Sequence, residues 1–576
     1  MRHLLLLSFF VCACSSEVAN DPGAPPSPGG ATDTNPPGGQ STDPKPPPCS
    51  GTAGTFHDQA FDSDGETRHY WLHVPASYDC TKPAAMLVDF HGTGFGGATD
   101  TVEESWATPD LLAASDDLGF IVVRPRSRSQ EMKGGFVYQW DINAGDVPKN
   151  KRFAEGLVAD LETRYNVDPK RLYASGFSNG PNMAAQFLAD DEPLFHGYGL
   201  IAGGLHAPLK RTAPFGADAP RIYTMTGFRD YMLTAKWALE RFLAQYKYPE
   251  SARFDREADT GHEVYGWNFR EAFAWMDHGA RPAAGALRAG WTKETTGVDE
   301  TFVEATDVDG ALVVVGANGG VYARSAAGAW TKRTQATIAP LTDVCRTPEG
   351  KWFATGAGSV TTSSDGLTWS ELPALPEFGT MGFGYTHATT VGCASGRVTV
   401  GGAGSTATSI DGGKTWTAAD ASQGGFGAYI AAVRRSGEKW LALGYYDFVG
   451  TSSDGVAFSP AEIAGTTQWW NDGASDGAEV VVAVGEGGAI MRSSDGGATF
   501  ASVPSPTRED LYAVSLRGAR GVAVGAHGAV ISTSDGGATW TDHSTGLDGH
   551  FGAVRFLSDT TVVVMGERGT ALRADL

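Results

Sequence analysis

The residues whose types and spacing suit covalent chemistry are gathered around Ser178. Leu172-Tyr173-Ala174-Ser175-Gly176-Phe177-Ser178-Asn179-Gly180 reads as a short apolar strand running into Gly-x-Ser-x-Gly. Met183, Ala184, Phe187 and Leu188 then recur at helical spacing. A strand, a sharp turn and a helix are the setting in which a serine stands above the end of a sheet as a nucleophile. Glycines flank the serine because side chains would not fit so tight a turn, and the N–H of Asn179 is expected to face the same space. The chain holds 76 glycines in 576 residues, so the pentapeptide gains meaning only from its partners.

Those partners depend on the elements that must position them. Thr67 to Pro75 alternates as a strand, and Met86 to Phe90 is a continuous apolar run of the kind buried on both faces. That run ends in His91-Gly92-Thr93-Gly94-Phe95-Gly96-Gly97. Ile121 to Val123, Leu200 to Ala202 and Ile222 to Met225 read as further buried strands. Phe153, Leu157, Val158, Leu161 and Tyr165 mark a helix. Strands alternating with helices imply a doubly wound, mostly parallel sheet, with its site at the carboxyl ends of the strands. At those ends lie Thr226-Gly227-Phe228-Arg229-Asp230 and Asp259-Thr260-Gly261-His262.

The order Ser178, Asp230, His262 suits a nucleophile, an orienting acid and a general base. His262 would take the serine proton, and Asp230 would hold the imidazole tautomer. The N–H groups of Asn179 and Thr93 would hold the oxyanion. His206 and His278 compete as base, and Asp259 as acid. His278 precedes Gly279 and also reads as a helix C-terminal residue. His91, Gly92, Trp140, Tyr231 and Trp267 are candidates to line a substrate pocket. For His91 the competing role is to orient the turn, and for the three aromatic residues it is core or surface packing. No metal-ligand spacing stands out, and no cofactor is expected.

Taken together, several stretches resemble the esterase family of polyhydroxybutyrate depolymerases, feruloyl esterases and acetyl xylan esterases. They are Arg68-His69-Tyr70…Val74-Pro75, Leu87-Val88-Asp89-Phe90-His91-Gly92, Asn166-Val167-Asp168-Pro169-Lys170-Arg171-Leu172-Tyr173, Gly176 to Gly180, Gly227…Asp230 and Gly261-His262. The resemblance implies an α/β-hydrolase over residues 49–280 and serine carboxyl-ester hydrolysis without metal or organic cofactor. Pro181 departs from the small residue usual there, at a helix start where proline is tolerated.

The flanking sequence bears on where such chemistry happens. Arg2 and His3 precede an apolar run from Leu4 to Val11, too short to span a bilayer, and Val11-Cys12-Ala13-Cys14 follows. This resembles a bacterial lipoprotein signal over residues 1–14, with Cys14 the lipidated mature N-terminus. An ordinary secretory signal is the alternative. Residues 15–48 are rich in Pro, Gly, Ser and Thr and read as a flexible tether. The compartment is then extracytoplasmic, at the outer membrane or cell surface, or secreted if that cysteine is unused. Disulfides are permitted there. Cys49 and Cys80 are the candidate pair, and Cys345 and Cys393 are either bridged or buried free thiols. A net charge of −22 argues against a nucleic-acid partner.

Residues 281–289 read as a linker, and from 290 the chain repeats itself. Ser409-Ile410-Asp411-Gly412-Gly413-Lys414-Thr415-Trp416 recurs at Ser493 to Phe500 and Thr533 to Trp540, with shortened copies at Ser363 to Trp369 and Ser452 to Phe458. This resembles the Asp-box of sialidase-type propellers. Aromatic markers at Trp291, Trp330, Trp369, Trp416, Phe458, Phe500 and Trp540 recur about every 40 residues, as propeller blades do. Seven markers imply seven blades over 290–576, the ring closed by pairing Gly290-Trp291-Thr292 with the tail from Val562 to Ala571. Trp469, Trp470, Tyr445 and Tyr446 are either sugar-stacking residues or core.

The combined expectation is an ester hydrolase whose propeller binds carbohydrate, polymer or protein and positions an ester substrate, with polysaccharide and polyester as the polymeric candidates. Two alternatives stay open: a surface-anchored binding protein with an inactive hydrolase domain, and a glycosidase propeller with an accessory esterase. Membrane attachment is expected through the lipid anchor alone. Expressed in a bacterium, the chain should take up radiolabelled palmitate and partition with membranes. Cys14→Ser should lose both, whereas labelling that survives Cys14→Ser would exclude this anchor.

Overall fold

The computed structural model describes residues 49–576 apart from 97–100, 105–107, 133–134, 144, 207, 231, 257, 259, 309–310, 336, 338, 357–358, 373–374, 376–387, 403–404, 421–428, 445–447 and 465–468. Cys14, the tether, Tyr231, Asp259, Tyr445 and Tyr446 therefore lie outside the described residues.

The first part is built on β1 (Gly54–Ser63), β2 (Glu66–Val74), β3 (Ala84–Phe90), the short β4 (Gly94–Gly96), α1 (Thr108–Leu118), β5 (Ile121–Pro125), β6 (Ser129–Met132), β7 (Gly135–Tyr138), α2 (Val147–Glu162), β8 (Val167–Phe177), α3 (Asn179–Ala184), β9 (Gly197–Ile201), β10 (Arg221–Met225), α4 (Leu233–Gln245), β11 (Arg253–Arg256) and α5 (Gly266–His278). Eight strands form one sheet in the order β1-β2-β5-β3-β8-β9-β10-β11. From β5 to β11 every pairing is parallel, while β1-β2 and β2-β5 are antiparallel. The parallel strands are near-continuous apolar runs because both faces are covered. One face packs Phe153, Leu157 and Leu161 of α2, with Leu239 and Phe242 of α4. The other packs Leu111 of α1 with Phe269, Phe273 and Met276 of α5. The Cys49–Cys80 disulfide holds the chain ahead of β1 to the turn before β3.

The second part is a ring of seven sheets. Six begin at the inner strands Phe302–Val308, Asp343–Arg346, Ala388–Ala394, Ile430–Ser436, Trp470–Ser475 and Leu511–Arg517. The seventh combines Phe551–Phe556, Thr561–Gly566 and Thr570–Asp575 with Thr292–Lys293 from the start of the propeller. Thr292 pairs with Arg573 and Lys293 with Leu572, so the ring closes by joining its two ends. Closure removes the exposed sheet edges that an open array would leave. Glu462–Ala464 adds a parallel outer strand to the fifth blade, which no sequence repeat announced. The Cys345–Cys393 disulfide joins the inner strands of the second and third blades.

The repeated turns owe their shape to one side chain each. Asp535 Oδ1 accepts the Thr539 N–H at 2.9 Å and the Thr533 hydroxyl at 2.7 Å, and Oδ2 accepts the Thr539 hydroxyl at 2.6 Å. Asp411 and Asp495 repeat the pattern with Ser409 and Thr415, and with Ser493 and Thr499. The Thr539 and Thr533 donors lower the Asp535 carboxyl to about 2. A carboxyl depressed in the folded state adds stability that is present above its unfolded value and is lost as pH falls through the folded one. Asp535→Asn should therefore lower the urea midpoint near neutral pH, and the gap to the parent should shrink as pH falls from about 4 towards about 2.

Candidate active site

The site is assembled where β8 ends. Ser178 follows β8 and precedes α3, with φ 62° and ψ −110°. Positive φ is costly for a residue with a side chain and persists only where surroundings enforce it. Here the enforcement is close packing of backbone on backbone. A Cβ on Gly176 would lie 2.6 Å from the Phe90 carbonyl oxygen, and one on Gly180 only 1.8 Å from it. The two glycines thus let the turn press against the end of β3. The Ser178 N–H donates to the Ile201 carbonyl at 3.1 Å, tying the turn to β9 as well.

Ser178 Oγ lies 2.7 Å from His262 Nε2, and His262 Nδ1 lies 2.9 Å from Asp230 Oδ1. Asp230 is fully buried, and its Oδ1 also accepts the Met232 N–H at 2.7 Å. The Phe177 ring packs against the His262 imidazole at 4.9 Å. The three residues stand on different loops, after β8, after β10 and before α5. Two backbone hydrogen bonds join the second loop to the third: Phe228 N–H to Ala258 O at 3.1 Å and Arg229 N–H to Thr260 O at 3.0 Å. In this geometry a proton can pass from the serine hydroxyl to the imidazole while the carboxylate fixes the other ring nitrogen.

The oxyanion candidates flank the serine. Asn179 opens α3, and its Oδ1 accepts the Trp140 N–H at 2.5 Å. Gly92 is close enough to Ser178 that an added Cβ would lie 3.1 Å from the serine Cβ. The His91-Gly92-Thr93 turn therefore lies against the serine. His91 is fully buried, with Nε2 accepting the Ser127 N–H at 3.0 Å and Nδ1 2.6 Å from the Gly92 carbonyl. Burial lowers its pKa to about 3, so the ring is neutral, with Nδ1–H donating to Gly92 and Nε2 accepting from Ser127. In this structure His91 braces the turn.

Two pocket candidates stand elsewhere. Trp140 is 1% exposed, packs on Phe90 and His91, and donates its indole N–H to the His91 carbonyl at 3.1 Å. It is core behind the turn. Trp267 stacks on Tyr265, donates to Asp510 of the propeller at 3.2 Å, and packs against His527 and His550. It belongs to the junction between the two parts. Among the rival bases, His278 ends α5 beside Asp277 with a largely exposed ring, and His206 is exposed. Trp470 is buried between blades rather than offered to a sugar.

Sequence reading missed Arg229. Its guanidinium reaches the Ala431 carbonyl at 2.9 Å and the Thr389 carbonyl at 3.2 Å, both in the propeller. Adjacency to Asp230 was the one signal available in the chain, and it says nothing of a partner some two hundred residues away.

No protein-family model matches the chain. Over 268 residues it is 23% identical to the bifunctional acetylxylan esterase/xylanase XynS20E of Neocallimastix patriciarum, covering 43% of this chain and 35% of that protein. Over 155 residues it is 30% identical to NocK of Nocardia uniformis subsp. tsuyamanensis, an esterase by description, covering 26% of this chain and 42% of that protein. The alignments thus span 35% and 42% of the length of these relatives. Among solved structures, YCF48 from Cyanidioschyzon merolae matches with a TM-score of 0.41 at 16% identity, over 50% of this chain and 99% of that one. Virginiamycin B lyase from Staphylococcus aureus matches with 0.42 at 12% identity, over 50% and 99%. The structural likenesses are of fold alone, and the sequence similarity to esterases is distant.

The close approach at the elbow yields a direct test. Gly180→Ala should lower the melting midpoint sharply or abolish soluble expression, because the Phe90 carbonyl has no flexible end to move aside. Unchanged melting would contradict the packing described.

Proposed function

We propose that residues 49–280 form an α/β-hydrolase that cleaves carboxylic esters through an acyl-enzyme on Ser178. The observation that carries the reading is the relay from Ser178 Oγ through His262 to buried Asp230, at 2.7 Å and 2.9 Å. The raised φ of Ser178 and the distant similarity to esterases agree with it.

The chemistry follows from the geometry. His262 Nε2 takes the Ser178 proton as Oγ attacks the ester carbonyl. Charge moves to the carbonyl oxygen, for which the N–H groups of Asn179 and Thr93 are the proposed donors. The imidazolium, stabilised by Asp230, returns its proton to the departing alkoxide, and the alcohol leaves. Water then repeats the sequence on the acyl-serine and releases the acid.

Acetyl or feruloyl esters on polysaccharide, or a polyester such as polyhydroxybutyrate, are the substrate classes we propose. The acetylxylan esterase relative and the resemblance of the Ser178 region support the first. The propeller is proposed to bind and position the substrate polymer. The N-terminal pattern ending at Cys14 and the two disulfides favour an oxidising, extracytoplasmic setting.

Purified protein should hydrolyse at least one of p-nitrophenyl acetate, p-nitrophenyl butyrate, methyl ferulate, acetylated xylan and polyhydroxybutyrate. Ser178→Ala should lower kcat by roughly 10⁶-fold and Asp230→Asn by roughly 10⁴-fold. No turnover above the Ser178→Ala background on any of the five would refute the esterase and favour a binding protein.

A further inference from the structure

The loop that carries Asp230 is anchored outside the sheet that presents it. Phe228, 4% exposed, packs against Val303 and Ala317 of the first blade. Arg229, 6% exposed, spans two further blades, donating to Thr389 O at 3.2 Å in the third and Ala431 O at 2.9 Å in the fourth. The Tyr429 hydroxyl donates in turn to the Arg229 carbonyl. Tyr429 is itself buried, at 3% exposure. Both residues immediately before the acid thus plug into the propeller. A charged donor on two carbonyls also fixes direction as well as distance.

Resting on the esterase reading above, we propose that the propeller is a working part of the catalytic relay, with Arg229 and Tyr429 as positioning residues that hold Asp230 against His262. The acid acts only through the imidazole tautomer and the imidazolium it stabilises, so its value depends on sub-ångström placement. From inside the hydrolase part, backbone hydrogen bonds to Ala258 and Thr260 support this loop. From outside, the propeller grips the two side chains next to the acid. The same contact places the site against the propeller's face, so that activity and any binding by the propeller share one junction.

The test uses a fluorophosphonate probe on the full-length protein. The Ser178 oxygen attacks phosphorus, the P–F bond breaks, fluoride leaves, and the hydroxyl proton passes to His262. Arg229→Met should slow the maximal labelling rate roughly ten- to a hundredfold with probe affinity unchanged. Arg229→Lys, which can still donate to the carbonyls, should recover most of the rate. Tyr429→Phe should slow labelling by a smaller factor and decides the matter if Arg229→Met fails to fold. Arg256→Met serves as a control, because it removes the ion pairs with Asp548, Glu567 and Glu271 at the junction and leaves the propeller's contacts with Phe228 and Arg229 in place. It should lower the melting midpoint while leaving the labelling rate near the parent's. Parental rates in Arg229→Met or Tyr429→Phe, or equal slowing in Arg256→Met, would overturn the positioning role and leave the esterase intact. A parent protein unlabelled at Ser178 would instead overturn the esterase reading and the inference with it.

Discussion

Ring closure is the constraint on which the remaining geometry depends. The strand that closes the propeller, Thr292–Lys293, is the first element after the α/β part, so that part enters the ring at its seam. The intervening segment is stitched to the same blades: Gly285 bridges to Leu547, the Arg288 N–H donates to Thr545 O, and the Trp291 indole donates to His543 O. With that end fixed, α5 and β11 lie against the sixth and seventh blades. Arg256 on β11 pairs with Asp548 at 2.8 Å, and Glu271 on α5 lies 3.5 Å from His527. The acid loop then meets the inner strands of the first, third and fourth blades, where Arg229 is held.

The propeller's own rigidity is electrostatic at its centre and apolar between its blades. Arg434 on the fourth blade reaches Asp343 on the second at 2.8 Å, Asp472 on the fifth at 2.9 Å and Glu304 on the first at 3.2 Å. Arg555 on the seventh closes on Glu304 at 2.6 Å. Desolvating such charges costs several kcal/mol per ion, and it is offset only because each carboxylate finds a cation and backbone donors. The Val514 N–H serves Asp472, and the Val391 N–H serves Asp343. Five blades are thereby set in one register, which gives Arg229 a fixed socket. Between blades, clusters such as Val482, Leu511, Ala523 and Ile531 supply the non-directional part.

The same division of labour appears in the sheet. Arg124 and Asp89 form an ion pair at 2.9 Å with both side chains almost fully buried, and Ser175 donates to Asp89 at 2.5 Å. These residues lie on β5, β3 and β8, the neighbouring strands whose ends build the elbow. Apolar packing by α2, α4, α1 and α5 makes the layer. The buried polar contacts fix the relative register of the strands that carry Gly92 and Ser178.

The chain by itself determined what periodicity and turn chemistry can encode. Alternating and continuous apolar runs marked the strands, Gly-x-Ser-x-Gly marked the elbow, and the Asp-Gly turns with their aromatic markers gave seven blades and even their point of closure. These are local signals, set by backbone geometry within a few residues. Tertiary structure decided what depends on distance through space. It put His91 and Trp140 behind the turn, committed Trp267 to the junction and paired Cys345 with Cys393. It also joined Arg229 to carbonyls of two blades. Backbone carbonyls carry no residue identity, so no sequence pattern could announce that contact, and only folding brings its two sides together.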